Sequence, residues 1–197
     1  MITGLTFQDI DQVVKLHKQE LSGFLSELGE SFLKKFYRQS LSIPELFTFT
    51  IAENEQILGF VTGTTTTKGL YRRIIFTDIL GFIFIFVNYF ITHPSKIMKA
   101  MQVFAYPGFV DDSPELLTIA IGKKRQKKGF GRKLFEKTVA EFKRRRVKSF
   151  KISAYTKLSA NGFYKKMGCK LESSFMFLGE KMNYWVKDCP FSKKDSP

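Results

Sequence analysis

The run Ile121-Gly122-Lys123-Lys124-Arg125-Gln126-Lys127-Lys128-Gly129-Phe130-Gly131 constrains this chain more than any other, because a strand pattern precedes it and a helix pattern follows. Glu115 to Ile121 reads as a buried strand, and Gly129 to Arg146 as a helix with Leu134, Phe135, Val139 and Phe142 facing inward. A strand that feeds a glycine-containing turn into a helix leaves several backbone N–H groups unpaired and aimed one way, at the positive end of the helix dipole. Such a junction is an anion site made of backbone. Gly129 and Gly131 lack the Cβ atoms that would hold a pyrophosphate away, and Lys127, Lys128 and Arg132 add positive charge beside it. Two glycines among lysines also occur in ordinary exposed turns, so the loop alone leaves both readings open.

The charge distribution points to the same stretch. Of a formal net charge of +14, the segment from Lys123 to Lys170 holds 18 Lys and Arg against Glu136 and Glu141, which leaves the rest of the chain slightly acidic. Polyphosphate cofactors and nucleic acids both suit a field concentrated in this way. Lys143 to Arg146 would serve a nucleic acid, but a basic helix end also complements its own dipole. Phe142 and Phe150 fall in the core phase, so the aromatic platform of a single-strand binder is missing. Nucleic acid is not the expected partner.

The remaining elements follow from periodicity. Ile2 to Leu5 reads as a strand, Ile10, Val13, Val14 and His17 as the inner stripe of a helix, and Phe32, Leu33, Phe36 and Tyr37 as that of a second. Thr6 and Asp9 form a capping pair. Phe47 to Glu53 and Ile57 to Thr66 make a hairpin about Asn54 and Glu55. After Gly129–Arg146 come a strand from Val147 to Ser153, a helix stopped at Gly168, and two strands turning at Gly179. Ser192 to Pro197 reads as a frayed tail. A length of 197 residues suits one domain, and 22 Phe against one Trp predict phenyl rings in the core and in any substrate pocket. Cys169 and Cys189 lie in no Cys-x-x-Cys pair and near no ligating His, so neither a disulfide framework nor a metal site is expected. With no signal-peptide pattern in Met1 to Asp11, a reducing cytoplasm is the expected compartment.

Ile79 to Thr92 contains no charged side chain. Counted back to Ile74 the run approaches the roughly 20 residues of a membrane span, but Asp78 interrupts it and no second span exists. Two readings stay open: a buried helix beside the active site, or peripheral membrane contact through Phe82, Phe84, Phe86 and Phe90, with Lys96 and Lys99 facing anionic headgroups.

Gln126-x-x-Gly129-x-Gly131 resembles the Q/R-x-x-G-x-G/A acetyl-CoA signature of the GNAT N-acetyltransferase superfamily. A P-loop would need a terminal Gly-Lys-Ser/Thr, and a dinucleotide fingerprint G-x-G-x-x-G. Leu117-Thr118-Ile119-Ala120-Ile121 resembles the family's strand before the loop. Asn161-Gly162-Phe163-Tyr164-Lys165-Lys166-Met167-Gly168 resembles its Phe-Tyr-x-x-x-Gly helix, about 30 residues on. The resemblance covers Glu115 to Leu171 well and the first half only in its order of elements.

It implies an α/β fold with a mixed, strongly bent sheet flanked by helices and splayed at its centre. Residues 1–110 would form the acceptor side, with Lys18 to Tyr37 and Tyr71 to Phe109 around the acceptor, and 115–187 the acetyl-CoA side. Backbone groups of Ile119, Ala120 and Ile121 would pair with the acetyl and pantetheine amides, while Gln126 to Arg132, Phe130 included, would hold the pyrophosphate. Acetyl would pass directly to a primary amine, with Tyr164 as proton donor to the thiolate and Glu115, six residues before Ile121, as base; Glu53, Asp78 and Asp112 are rivals for that role. Two departures stand out. Lys157 sits where many members place a pantetheine-binding Asn, with Asn161 as the nearby substitute, and Lys127 replaces a frequent Gly. They leave as the alternative a non-catalytic copy of the fold serving RNA or a membrane surface. No metal is implied, and a Phe-rich face would also serve a homodimer.

Overall fold

The computed structural model describes residues 1–98 and 112–190, the side chain of residue 24 excepted. Lys99, Pro107, Phe109, Asp111 and the tail Ser192 to Pro197 lie outside the described residues. In chain order the main elements are β1 (Ile2–Gly4), α1 (Ile10–Glu20), α2 (Phe24–Glu27), α3 (Glu30–Ser40), β2 (Leu46–Glu53), β3 (Gln56–Thr64), α4 (Leu70–Phe76) and α5 (Ile79–Thr92). The second half holds β4 (Glu115–Ile121), α6 (Phe130–Arg144), β5 (Ser149–Tyr155), α7 (Ala160–Lys166), β6 (Lys170–Phe177) and β7 (Glu180–Asp188).

Local chemistry sets these bounds. Thr6 N–H donates to Asp9 Oδ2 at 2.8 Å ahead of α1, as its capping pair predicts. Asn54 and Glu55 take φ of 46° and 64°, the left-handed pair that a tight hairpin between β2 and β3 demands. Gly168 closes α7 and Gly179 turns β6 into β7, both at positive φ.

The seven strands form one sheet in the order β1-β2-β3-β4-β5-β7-β6. Every pairing is antiparallel except β4 with β5, which is parallel and holds only at Glu115–Lys151 and Leu116–Ile152. Beyond Leu116 the two strands separate, and the sheet is splayed at its centre. Consecutive residues of β3 face opposite sides. Phe60 joins Val13, Val14, Leu33 and Tyr37 in the core under α1 and α3, while Val61 joins Leu134, Phe135, Phe142 and Phe150 under α6. Val139 is half-buried at the edge of that second core.

The apolar run from Ile74 to Thr92 is two helices meeting at 105°, not one. Asp78 is the break: its Oδ1 accepts from Gly81 N–H at 3.1 Å as the N-cap of α5, and its Oδ2 pairs with Lys35. Of the two readings left open for this run, the fully buried helix does not hold for α5. Phe82 is buried against α3 and Phe86 and Phe90 are half-buried, but Phe84 points outward with Ile79, Leu80, Ile83, Val87 and Ile91. No single helix among the described residues is long and apolar enough to cross a membrane.

The basic end of α6 is partly spent inside the protein. Arg144 and Arg145 both donate to Glu141, and the bond from Arg144, ahead of that from Arg145, holds this half-enclosed carboxyl below its ordinary range although burial acts the other way. Arg145 also donates to Pro44 O and lies 5.1 Å from the Phe47 ring centroid.

Candidate active site

β4 is the hinge of the site. Gly122 N–H donates to Leu58 O at 2.9 Å, which fixes the phase of the β3–β4 ladder. Because alternate residues of a strand bond to opposite sides, Ala120 turns its backbone to β3, paired with Phe60, and Ile119 and Ile121 present theirs to the splay. Of the three residues expected to pair with the cofactor through backbone, Ile119 and Ile121 turn theirs away from β3 and Ala120 does not. Ala120 instead contributes its buried side chain to the core under α1.

The loop after β4 enters α6 through Gly129 at φ +84°, a conformation that favours glycine. The first carbonyl to be satisfied inside the helix is Gly129 O, by Lys133 N–H at 3.1 Å, so the N–H groups of Phe130, Gly131 and Arg132 begin the helix without intrahelical acceptors. They open on a groove of about 680 Å³ lined by Ile121, Arg125, Lys127, Arg132 and Lys166. The cationic set differs from the sequence reading in three places, the first being Arg125, which lines the groove ahead of Gln126. Lys128 is exposed outside the groove lining, and Lys166, one turn of α7 beyond Gly162, is inside it. The Phe130 side chain packs into the core, leaving only its backbone for the loop. Gln126 Nε2 folds back on Ile121 O at 3.0 Å, and Glu20 anchors the loop from α1 by accepting Lys123 N–H at 2.8 Å.

A second cavity, about 300 Å³, lies on the other side of the splay, and Ile119 and Ala160 line both spaces. Its polar wall is Glu115, Thr118, Ser153, Tyr155, Tyr71 and Tyr164, with His17 from α1. Among the described residues Phe177 is the one Phe of the lining, and Phe32, Phe36, Phe60 and Phe82 are consumed in the core under α1 and α3. Glu115 Oε1 accepts from Ser153 Oγ at 2.9 Å. Burial, and after it the charge of Glu115, pushes the Tyr71 phenol up. The rival carboxylates stand elsewhere, since Glu53 pairs with Arg125, Asp78 caps α5 and Asp112 accepts from Thr66.

Tyr164 is 5% exposed, and burial pushes its phenol well above the ordinary range. Its hydroxyl has no hydrogen-bond partner among the described residues. His17 Nδ1 meets Tyr37 Oη at 2.8 Å and its ring stacks on Phe60, and burial lowers its pKa to about 4, so the imidazole is neutral at pH 7.

Asn161 does not reach toward the groove. Its Nδ2 donates to the carbonyls of Tyr155 at 2.8 Å and Leu158 at 2.8 Å, and its Oδ1 accepts from Asn183 and from Trp185 Nε1 at 2.9 Å. That saturates a side-chain amide, so Asn161 clamps the β5–α7 turn to β7. Lys157, at the family's Asn position, pairs with Glu180. His17, Tyr71, Arg125, Ser153, Tyr155 and Lys166 are the residues that sequence reasoning missed. Ser153 and Tyr155 carried a signal, being the alternate positions of β5 that face away from Ile152 and Ala154 in the core.

An anion cradle at a strand–helix junction, opening through a splayed sheet into a tyrosine-lined cavity, is the architecture of an acyl-group transferase. A sequence profile of the acetyltransferase (GNAT) family matches residues 11–169. The chain belongs to that family and is an N-acetyltransferase of its class. Among solved structures it resembles the ribosomal-protein-S18-alanine N-acetyltransferase of Escherichia coli (TM-score 0.61, 12% identity, 100% of this chain and 98% of that one). It also resembles the PaiA N-acetyltransferase of Thermoplasma acidophilum in complex with coenzyme A (TM-score 0.61, 13% identity, 95% and 98%). A third relative in fold is an N-acetyltransferase of Staphylococcus aureus Mu50 (TM-score 0.63, 10% identity, 96% and 98%). No curated protein matches the sequence significantly.

Proposed function

We propose that this enzyme moves acetyl from acetyl-CoA to a small, apolar-bodied primary amine by direct attack. The observation that carries the reading is the shared wall at Ile119, where the cationic groove and the cavity holding Glu115 and Tyr164 adjoin. The fit of the cosubstrate rests on the groove itself: free N–H groups at the start of α6, with Arg125, Lys127, Arg132 and Lys166 around them, match a pyrophosphate. The backbone of Ile119 and the N–H of Ile121, whose carbonyl already accepts from Gln126, offer strand-like pairing to the pantetheine amides.

Bound there, acetyl-CoA supplies an activated thioester carbonyl. Ile119 N–H is the donor on the open edge of β4 that stabilises negative charge building on the carbonyl oxygen. Glu115 accepts a proton from the incoming ammonium, which frees the nitrogen lone pair for attack on the carbonyl carbon. As the new N–C bond forms the C–S bond breaks, Tyr164 gives its proton to the departing thiolate, and the acylated nitrogen releases its second proton to solvent. Reprotonation of Tyr164 and deprotonation of Glu115 by solvent complete the turnover. No covalent enzyme intermediate is needed.

The cavity argues for the acceptor class. Glu115 is the one carboxylate among the described residues that line it, against Leu25, Leu117, Met182 and the tyrosine rings. One carboxylate matches one ammonium, whereas a polyamine would leave cations buried without partners. The test is a panel of alkylamines, arylalkylamines, amino sugars and polyamines incubated with acetyl-CoA and read by mass spectrometry. Acetylation of the apolar monoamines is expected; turnover of the polyamines alone would contradict the assignment.

A further inference from the structure

α5 poses a problem that acetyl transfer does not solve. An α-helix that is apolar all round belongs in a core or in lipid, yet only one side of α5 packs on α3 and α4. On the other side Ile79, Leu80, Ile83, Phe84, Val87 and Ile91 form a stripe at helical spacing, with Leu80 78%, Phe84 71% and Ile91 74% exposed. Over 14 residues the stripe runs about 21 Å. It continues past both ends of the helix through Phe76 and through Ile97 and Met98, all exposed. A continuous apolar face of this length is an interaction surface.

Charge decides the occupant. From Leu70 to Met98 the sole carboxylate is Asp78, which is ion-paired with Lys35; Arg73 and Lys96 are paired with Glu45 and Glu27, and Arg72 is the cation without an ion pair among the described residues. Arg72 is exposed, its guanidinium 6.0 Å from the ring centroid of outward-facing Phe76, so a cation and an apolar wedge sit side by side. A second copy of a chain with net charge +14 would be repelled, whereas an anionic bilayer would attract it. The 105° bend also matters, because it lays α5 along a surface rather than through one.

We infer that the outer face of α5 is a membrane-surface anchor, which docks the enzyme on anionic phospholipid with the helix lying in the interfacial plane. The docked face continues into the acceptor side of the molecule. Just past α5, Lys96 pairs at 3.0 Å with Glu27 of α2, and α2 contributes Leu25 and Ser26 to the cavity wall. The anchor therefore brings the amine-binding half of the enzyme to the lipid surface. This inference does not depend on the identity of the amine.

The experiment is flotation of the full-length protein with vesicles of equimolar phosphatidylcholine and phosphatidylglycerol, and with phosphatidylcholine alone. Wild type is expected to float with the anionic vesicles. The double variant Leu80→Ser/Phe84→Ser, which alters exposed side chains only, is expected to partition more than about tenfold less. A Phe84→Trp variant is read separately by blue shift and by quenching with brominated lipid, against Trp185, which is buried on β7. Three results would overturn the inference. Wild type could remain at the bottom, or the double variant could float as well as wild type, which would assign binding to the basic stretch around α6. The third is a dimer in solution that the Ser substitutions dissociate, with no flotation and no quenching of the Phe84→Trp variant's added emission, which would assign the face to a second copy.

Discussion

Replacing Tyr164 by Phe removes one hydroxyl and nothing else from the wall of the second cavity. The ring keeps its packing against Phe163, and the lost hydroxyl had no partner among the described residues, so stability should be unchanged or slightly raised. Loss of a positioned proton donor slows a reaction typically 10² to 10⁴-fold, or about 3 to 5 kcal/mol of barrier. The deficit should fall on kcat, with KM for acetyl-CoA little changed, because the phenol acts in the transition state and not on the pyrophosphate. Burial supplies the pH signature. It disfavours the phenolate and pushes the Tyr164 pKa up, so wild-type kcat should show no alkaline loss traceable to this group up to the ordinary tyrosine range near 10. Stopped assays of thiol release across pH, with a circular-dichroism melt of each protein, would read all of this. A Phe variant whose kcat stays within a factor of about three of wild type would refute the argument, since solvent would then be protonating the thiolate unaided.

Three further expectations follow from other parts of the structure. Glu115→Gln keeps an acceptor for Ser153 but no base, so kcat/KM should drop about 10²-fold near neutral pH and recover as pH approaches the amine's own pKa; a deficit that persists at high pH would deny Glu115 the role. His17 is neutral in the fold with a pKa of about 4, against about 6.5 unfolded, so the unfolded chain binds more protons between those values and stability should fall as pH drops through that window. The loss is on the order of 3 kcal/mol by pH 4; urea melts at pH 7 and pH 4.5 measure it, and His17→Gln should flatten that part of the profile. Gly59→Ala would place a Cβ 2.3 Å from Ile121 Cδ1 and 2.8 Å from Ala120 O, so it should cost about 1 to 3 kcal/mol in thermal or urea unfolding and disturb the strand that meets the cofactor.

Much of the fold was legible because its signals are local. Glu115–Ile121, the capping pair at Thr6 and Asp9, and the stops at Gly168 and Gly179 each depend on a few adjacent residues. The phosphate loop was legible for the same reason. What sequence could not supply is convergence. His17, Tyr71, Ser153 and Tyr164 come from four elements, and only the separation of β4 from β5 after Leu116 brings them to one cavity. Asn161 was chosen by proximity in sequence to a family position, and the structure spends its amide on Tyr155, Asn183 and Trp185. The apolar run left two readings open for a different reason. Hydropathy alone cannot distinguish a helix that packs on all sides from α5, which packs on one, and the break at Asp78 is made by a cap and an ion pair with a residue 43 positions away.

Acetyl-CoA binding to the loop tests the central claim most directly, by titration calorimetry on wild type, Gly129→Glu and Gly129→Asn. At φ +84° any side chain brings backbone strain, and Asn, which tolerates that region, carries the strain without the charge. A Cβ at Gly129 meets nothing within 4 Å, so the Glu side chain has room and its carboxylate would stand against the pyrophosphate. Micromolar binding by wild type, nearly retained by the Asn variant and weakened at least about tenfold by Glu, is the predicted result. A folded wild type that binds no acetyl-CoA at millimolar concentration, or a Glu variant that binds as wild type does, would contradict it.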